Sequence, residues 1–197
     1  MNPQEAHAQA LNDAPRTFRV ALDELRQANT RAEVDIVEIP APSKLAPYAV
    51  AMAAEVADDD GGAHAVGRFI LLYDNRHSDV WDGNFRIVTY IRTSVETDLG
   101  EDPLLTEVAW TWILESLDEA SATYRQPGGT ATRVLSKGFG MLDQQTEITD
   151  LELRASWTPT GENLNRHLTA WTDMVCTFAG LPPVSEGVIP LSPIRRK

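Results

Sequence analysis

The chain is poor in the features that would assign it to a familiar class. It has one cysteine, Cys176, in 197 residues, which excludes a disulfide framework or a thiolate metal cluster and agrees with a reducing compartment. No stretch approaches the roughly 18 to 20 apolar residues of a membrane-spanning helix. Met1 to Asp13 lacks the basic-then-apolar order of an export signal, so a cytoplasmic location is expected. Basic residues are also few, 17 against 29 acidic, for a formal charge of −12. That acidic balance opposes the counterion release that drives nucleic-acid binding and is repelled by anionic membranes. Neither is an expected partner. Repeats at solenoid or propeller spacing are absent. So are a glycine loop that follows a strand to cradle phosphate, a helical histidine pair with a base between, and a nucleophile elbow. No cofactor is expected.

What is present reads as one core. The chain is 43% hydrophobic, and domains typically run to about 100 to 150 residues. The expected organisation is a disordered N-terminus over 1–13, a single α+β domain over 14–190 and a flexible tail over 191–197. A first helix starts at Pro15 with Asp13 near its cap, carries Phe18, Leu22 and Leu25 on one stripe, and ends near Asn29. Four strands follow, Val34 to Ile39, Tyr48 to Val56, Ala65 to Tyr73 and Phe85 to Arg92, with Asp58 to Gly62 as a hairpin loop. Asp102-Pro103 opens a second helix to about Tyr124, apolar around much of its circumference. After the bend at Pro127-Gly128-Gly129 come two strands. The second alternates Leu151, Leu153, Ala155 and Trp157 against Glu152, Arg154 and Ser156. A last helix runs from about Glu162, capped by Thr160, to Gly180. The order α-β-β-β-β-α-β-β-α predicts a two-layer sandwich, a mainly antiparallel sheet with helices packed on one face. Ala49, Ala51 and Ala53 cut one side of the second strand low, where a helix could sit close.

Several groups are candidates for chemistry. Asp74, His77, Asp79 and Asp82 crowd the loop between the third and fourth strands, but they lack the register of an ion loop. No metal is expected there. His167 reads as a boundary histidine and Cys176 as a small core residue. The strand arginines Arg68, Arg86, Arg92, Arg133 and Arg154 could converge on one sheet face and hold an anion or acidic peptide. Ion pairs with Glu55, Glu147 and Glu152 would serve equally well. Trp112, Trp157 and Trp171 lie on apolar stripes, whereas Trp81 and Trp110 suit an interface. A second stripe on the long helix, Trp110, Ile113, Leu114 and Leu117, could bury itself against another copy or against the last helix.

The tracts Leu45 to Val50, Trp81 to Arg86, Arg154 to Gly161 and Gly180 to Pro183 resemble an actinobacterial family known as a domain of unknown function, DUF3000. The resemblance covers about residues 31–190 and implies an actinobacterial, cytoplasmic origin, with no activity attached. In element order alone the chain is also similar to the small acidic chaperones of type III secretion, which bind peptide segments and usually dimerise. Two readings follow. One is a non-enzymatic protein-interaction or chaperone-like module acting as a homodimer. The other is a small-anion binder or enzyme that uses the strand arginines on the sheet face.

Overall fold

The structure, a computed structural model, describes residues 14–57, 63–95, 100, 102–142 and 147–182. Among these residues the elements are α1 (Arg16–Leu25), β1 (Asp35–Ile39), β2 (Tyr48–Ala57), β3 (Ala63–Ser78), β4 (Gly83–Val95), α2 (Leu105–Glu119), β5 (Tyr124–Ser136), β6 (Ile148–Pro159) and α3 (Leu164–Phe178). A single 3-10 turn, Gly140–Leu142, precedes β6. This is the order predicted from sequence. All the strands pair antiparallel in one sheet of order β1-β2-β3-β4-β6-β5. β6 therefore returns to the interior beside β4 and leaves β5 at the edge. The expected disordered start at 1–13 with Asp13, the loop Asp58 to Gly62 and the tail 191–197 lie outside the described residues.

Side chains alternate across a strand, and the register carries that alternation through the sheet. Val50, Ala54 and Val56 of β2 meet Leu71, Gly67 and Ala65 of β3. These continue into Ile87, Ile91 and Thr93 of β4, and then into Trp157, Leu153 and Leu151 of β6. This face carries the core, and all three helices pack on it. α3 lies at its centre, where Trp171 meets Phe69 with ring centroids 5.5 Å apart. α2 reaches α3 through Trp112, edge-on to Phe178 at 5.5 Å. α1 inserts Phe18 beside Tyr48 and Tyr73, 5.9 and 5.8 Å away.

The seat for α3 is not the alanine side of β2. Ala49, Ala51 and Ala53 point to the opposite face, which carries no helix among the described residues. The close approach is made instead at Gly67, where a Cβ would lie 2.7 Å from Cζ2 of Trp171 and 2.9 Å from Cγ2 of Val175. A glycine inside a strand commonly marks such an approach.

The helix ends follow local chemistry. α2 and α3 both close with a left-handed residue after the cap, Ser121 (φ 52°) and Gly180 (φ 74°). The following N–H reaches back in each case, Ala122 to the Leu117 carbonyl at 2.8 Å and Leu181 to the Cys176 carbonyl at 2.9 Å. Thr160 does not cap α3. Its backbone N–H donates to the Thr123 carbonyl at 2.8 Å. The N-terminus of α3 is met by α1, whose Glu24 carboxylate accepts from the Leu164 N–H at 3.0 Å, a favourable charge for the helix dipole.

His167 is fully buried rather than at a boundary. Its Nδ1 accepts from Trp157 Nε1 at 3.1 Å, and its ring also hydrogen-bonds the Thr123 backbone. Desolvation pushes its pKa down from 6.5 to about 4. Protonating Nδ1 would also orphan the Trp157 N–H.

Two expectations follow. Gly67→Ala should lower the urea midpoint, corresponding to a loss of about 1 to 3 kcal/mol from overpacking. Gly128→Ala, whose Cβ would meet nothing within 4 Å, should leave the midpoint nearly unchanged. For His167, the native state resists protonation between pH 6.5 and about 4. The unfolded chain binds the extra proton in that window, so stability is full above pH 6.5 and falls as pH drops through it. The loss by pH 5 should be about 2 kcal/mol. In parallel denaturant titrations at pH 7.5 and 5, His167→Gln should lower stability at pH 7.5 but lose about that much less on acidification.

Candidate functional site

The face opposite the helices is built from the alternate residues of the same strands. Its register aligns them in rows. The middle row runs Val37, Ala53, Arg68, Tyr90, Arg154 and Thr130 across β1, β2, β3, β4, β6 and β5. Beside it lies a mostly apolar row of Ile39, Ala51, Ile70, Val88, Ser156 and Gly128. The row on the other side holds Asp35, Glu55, Val66, Arg92 and Glu152. All but Ile39, Ala51 and Glu152 of these residues line an open groove of about 1210 Å³. Ala53 of β2 keeps its floor low there. At its margin Val37 is 59% exposed.

Three of the five strand arginines, Arg68, Arg92 and Arg154, line this groove. Arg92 pairs with Asp150 at 2.7 Å. Burial works against ionisation of Asp150, but hydrogen bonds from Ser94 and Arg92 outweigh it and hold its pKa below the ordinary carboxylate value. Arg154 pairs with Glu152 at 2.8 Å and stacks over the Tyr90 ring at 5.1 Å. The Tyr90 phenol is pushed up, by burial first and then by Glu152, so it stays neutral. Arg68, on the other side of Tyr90, makes no hydrogen bond or ion pair among the described residues. Its backbone carbonyl accepts from Thr89 Oγ1 at 2.9 Å, which fixes the strand while leaving the guanidinium unengaged.

The remaining two arginines are structural. Arg86 donates to the Gln126 carbonyl at 2.9 Å, to Thr158 Oγ1 at 3.0 Å and to Ser156 Oγ at 2.7 Å. Desolvation lowers its pKa. Arg133 falls on the helix-side face and holds the Gly100 and Asp102 carbonyls ahead of α2. Of the glutamates proposed as ion-pair partners, Glu152 does pair with Arg154, and Glu147 pairs with Lys137 at 3.4 Å. Glu55 lines the groove.

The candidate interface residues are placed as follows. Ile113 and Leu117 are each 1% exposed, so the chain's own core takes up the second stripe of α2. Leu114 is partly buried against that core. Trp110 lies on the sheet at Gly129, where a Cβ would come within 2.9 Å of its Cζ3. Gly128 and Gly129 thus stand inside β5, at a bulge between Arg125 and Gly128, and not at a bend between elements. Trp81 is half-buried in the β3–β4 turn, its carbonyl accepting from the Thr158 hydroxyl. In the same turn Asp74 pairs with Arg76 at 2.8 Å and Asp82 with Arg125 at 3.2 Å. Among the described residues no three His, Cys, Asp or Glu side chains gather as a metal site would require.

Tyr90 and the apolar members Val37, Val66, Ile70 and Val88 were not singled out in the sequence. For Tyr90, Val66, Ile70 and Val88 the signal is parity, since each shares its strand face with Arg68 or Arg92; Val37 joins them only through its pairing with Ala53. The groove lining combines apolar side chains, one unengaged cation and no imidazole or thiol. It is equipped to bind. No helix among the described residues is long and apolar enough to cross a membrane.

Comparison with curated proteins and with solved structures found no match. The model of one family, described as protein of unknown function (DUF3000), matches residues 14–189, nearly the whole of the fold just described, and the chain belongs to that family.

Proposed function

We propose that the chain is a non-enzymatic binding module that receives a segment of another protein along the helix-free face of the sheet. The observation that carries this reading is the groove, with its low apolar floor and the unengaged Arg68 in its middle row. A segment that offers aliphatic side chains to Val37, Ile70 and Val88 and a carboxylate to Arg68 would satisfy both parts. Burying each aliphatic side chain contributes about 1.5 to 3 kcal/mol. The carboxylate adds specificity more than affinity. Binding is favoured over catalysis because the ionisable groups lining the groove are arginines, Asp35, Glu55 and a neutral phenol. No imidazole or thiol lies among them to carry a proton.

A second reading, an amphipathic small anion in place of a protein segment, is favoured by Arg68 pairing with no carboxylate among the described residues. Native mass spectrometry of protein purified from its host separates the two, since a retained small molecule adds a few hundred daltons.

The direct test places a photo-crosslinking amino acid at position 66, in the groove, and at position 111, on the exposed side of α2, in host cells. Position 66 should capture discrete protein partners that position 111 does not, with yield reduced severalfold by Arg68→Glu. Equal capture at both positions, or capture indifferent to Arg68→Glu, would contradict the reading.

A further inference from the structure

The two edges of the sheet differ in how they are guarded. β1 is five residues long and carries Asp35 and Glu38, the short, charged form that discourages pairing with another chain. β5 is thirteen residues long. From Gly128 to Ser136 it runs beside β6 in unbroken register, Gly128 opposite Ser156 and Ser136 opposite Ile148. That stretch has no proline, no lysine and no bulge. Its one charge, Arg133, is turned to the helix side and held by the Gly100 and Asp102 carbonyls. Beyond the β6 ladder, among the described residues, no hydrogen bond reaches the backbone of Gly128 to Ser136. Such an edge is a template for another strand.

Its flanks are apolar as well. Val134 and Ile148 near the end of the ladder, and Leu135 on the helix side, are 41%, 47% and 61% exposed. Arg133 ties the segment ahead of α2 to the same edge, and the start of α2 exposes Leu104 and Val108. In a chain with 29 acidic residues, none falls between Tyr124 and Ser136. The strand itself thus adds no carboxylate to the contact, and Glu152 and Asp150, beside Thr132 and Val134 on β6, are paired with Arg154 and Arg92.

We infer that the occupant of this edge is a second copy of the chain, paired antiparallel β5 to β5 about a two-fold axis near Thr132. The axis sets Gly128 opposite Ser136 of the second copy and Thr130 opposite Val134, and Thr132 faces itself. A two-fold contact of this kind closes on itself and uses up the edge in both copies. Nine residues span about 30 Å, and the sheet with its helix layer is about 20 Å deep. Roughly 600 Å² per copy is thus within reach, at the lower end of what a stable dimer needs. The pairing would join two six-stranded sheets into one. Each groove already extends to Gly128 and Thr130 of β5, so the two would run together as a continuous trough. This inference stands independently of what the groove binds.

Sedimentation equilibrium at micromolar concentration should give twice the 21.7 kDa of the chain. Thr132→Lys sets two ammonium groups face to face on the axis, and Thr132→Glu sets two carboxylates there. Each variant alone should dissociate at least tenfold more readily, whereas an equimolar mixture of the two should regain the dimer. Thr111→Lys, on the exposed side of α2, should behave as wild type. A monomeric wild type, a dimer indifferent to both Thr132 variants, or two folded monomeric variants that fail to re-pair on mixing would overturn the inference. Crosslinking from position 66 reads groove occupancy separately, so either proposal can fail alone.

Discussion

Trp171 lies over Gly67 at the centre of the sheet, in a space that a single methyl group would fill. The contact commits α3 to one face. With α3 in place, the flanking Trp112–Phe178 pair draws α2 to the same side, and Glu24 of α1 meets the N-terminus of α3. The indole N–H of Trp171 is buried without a hydrogen-bond partner among the described residues. An orphaned donor of this kind costs about 1 to 3 kcal/mol, which marks how strongly packing decides the position. The helix-free face, with its groove, is the other consequence of the same choice.

That face is neither a second core nor an ordinary solvated surface. A solvated face would carry charges paired across strands, as Arg92 with Asp150 and Arg154 with Glu152 do at one end. Toward the other end Val37, Ala53, Val66, Ile70 and Val88 take the place of such pairs, with Asp35 and Glu55 along one side and Arg68 at the border. An apolar strip beside an unengaged cation can recognise a ligand that is itself two-sided. Surrounding acidic charge, −12 over the chain, disfavours anions elsewhere on the surface and sharpens the contrast.

Much of the fold was legible because its signals are local. Alternation in Leu151 to Trp157, the apolar stripe Phe18, Leu22 and Leu25, and Gly180 after the last helix each depend on a few neighbouring residues. The seat of α3 was not legible in this way. Three alanines on one side of β2 look like room for a helix, but a single glycine on the next strand made the room that was used. The arginines show the same limit. Arg68, Arg92 and Arg154 share a face by strand parity alone, but Arg133 does not join them. The bulge between Arg125 and Gly128 shifts the register of β5 by one residue, and a one-residue shift turns every later side chain to the opposite face. Its left-handed residue, Gln126, carries no sequence signature of its own.

The central claim is that one face of the sheet is spent on the core and the other is kept for a partner. Cysteine labelling tests it directly, because the native Cys176 thiol is buried and its pKa is pushed up to about 11, leaving a quiet background. Neighbouring residues Ile70 and Leu71 of β3 point to opposite faces. In purified folded protein, Ile70→Cys should react with a maleimide while Leu71→Cys stays protected. In host cells, reaction at position 70 should then fall severalfold relative to an exposed cysteine at position 111. Equal reactivity at 70 and 71, or no added protection at 70 in cells, would contradict the account.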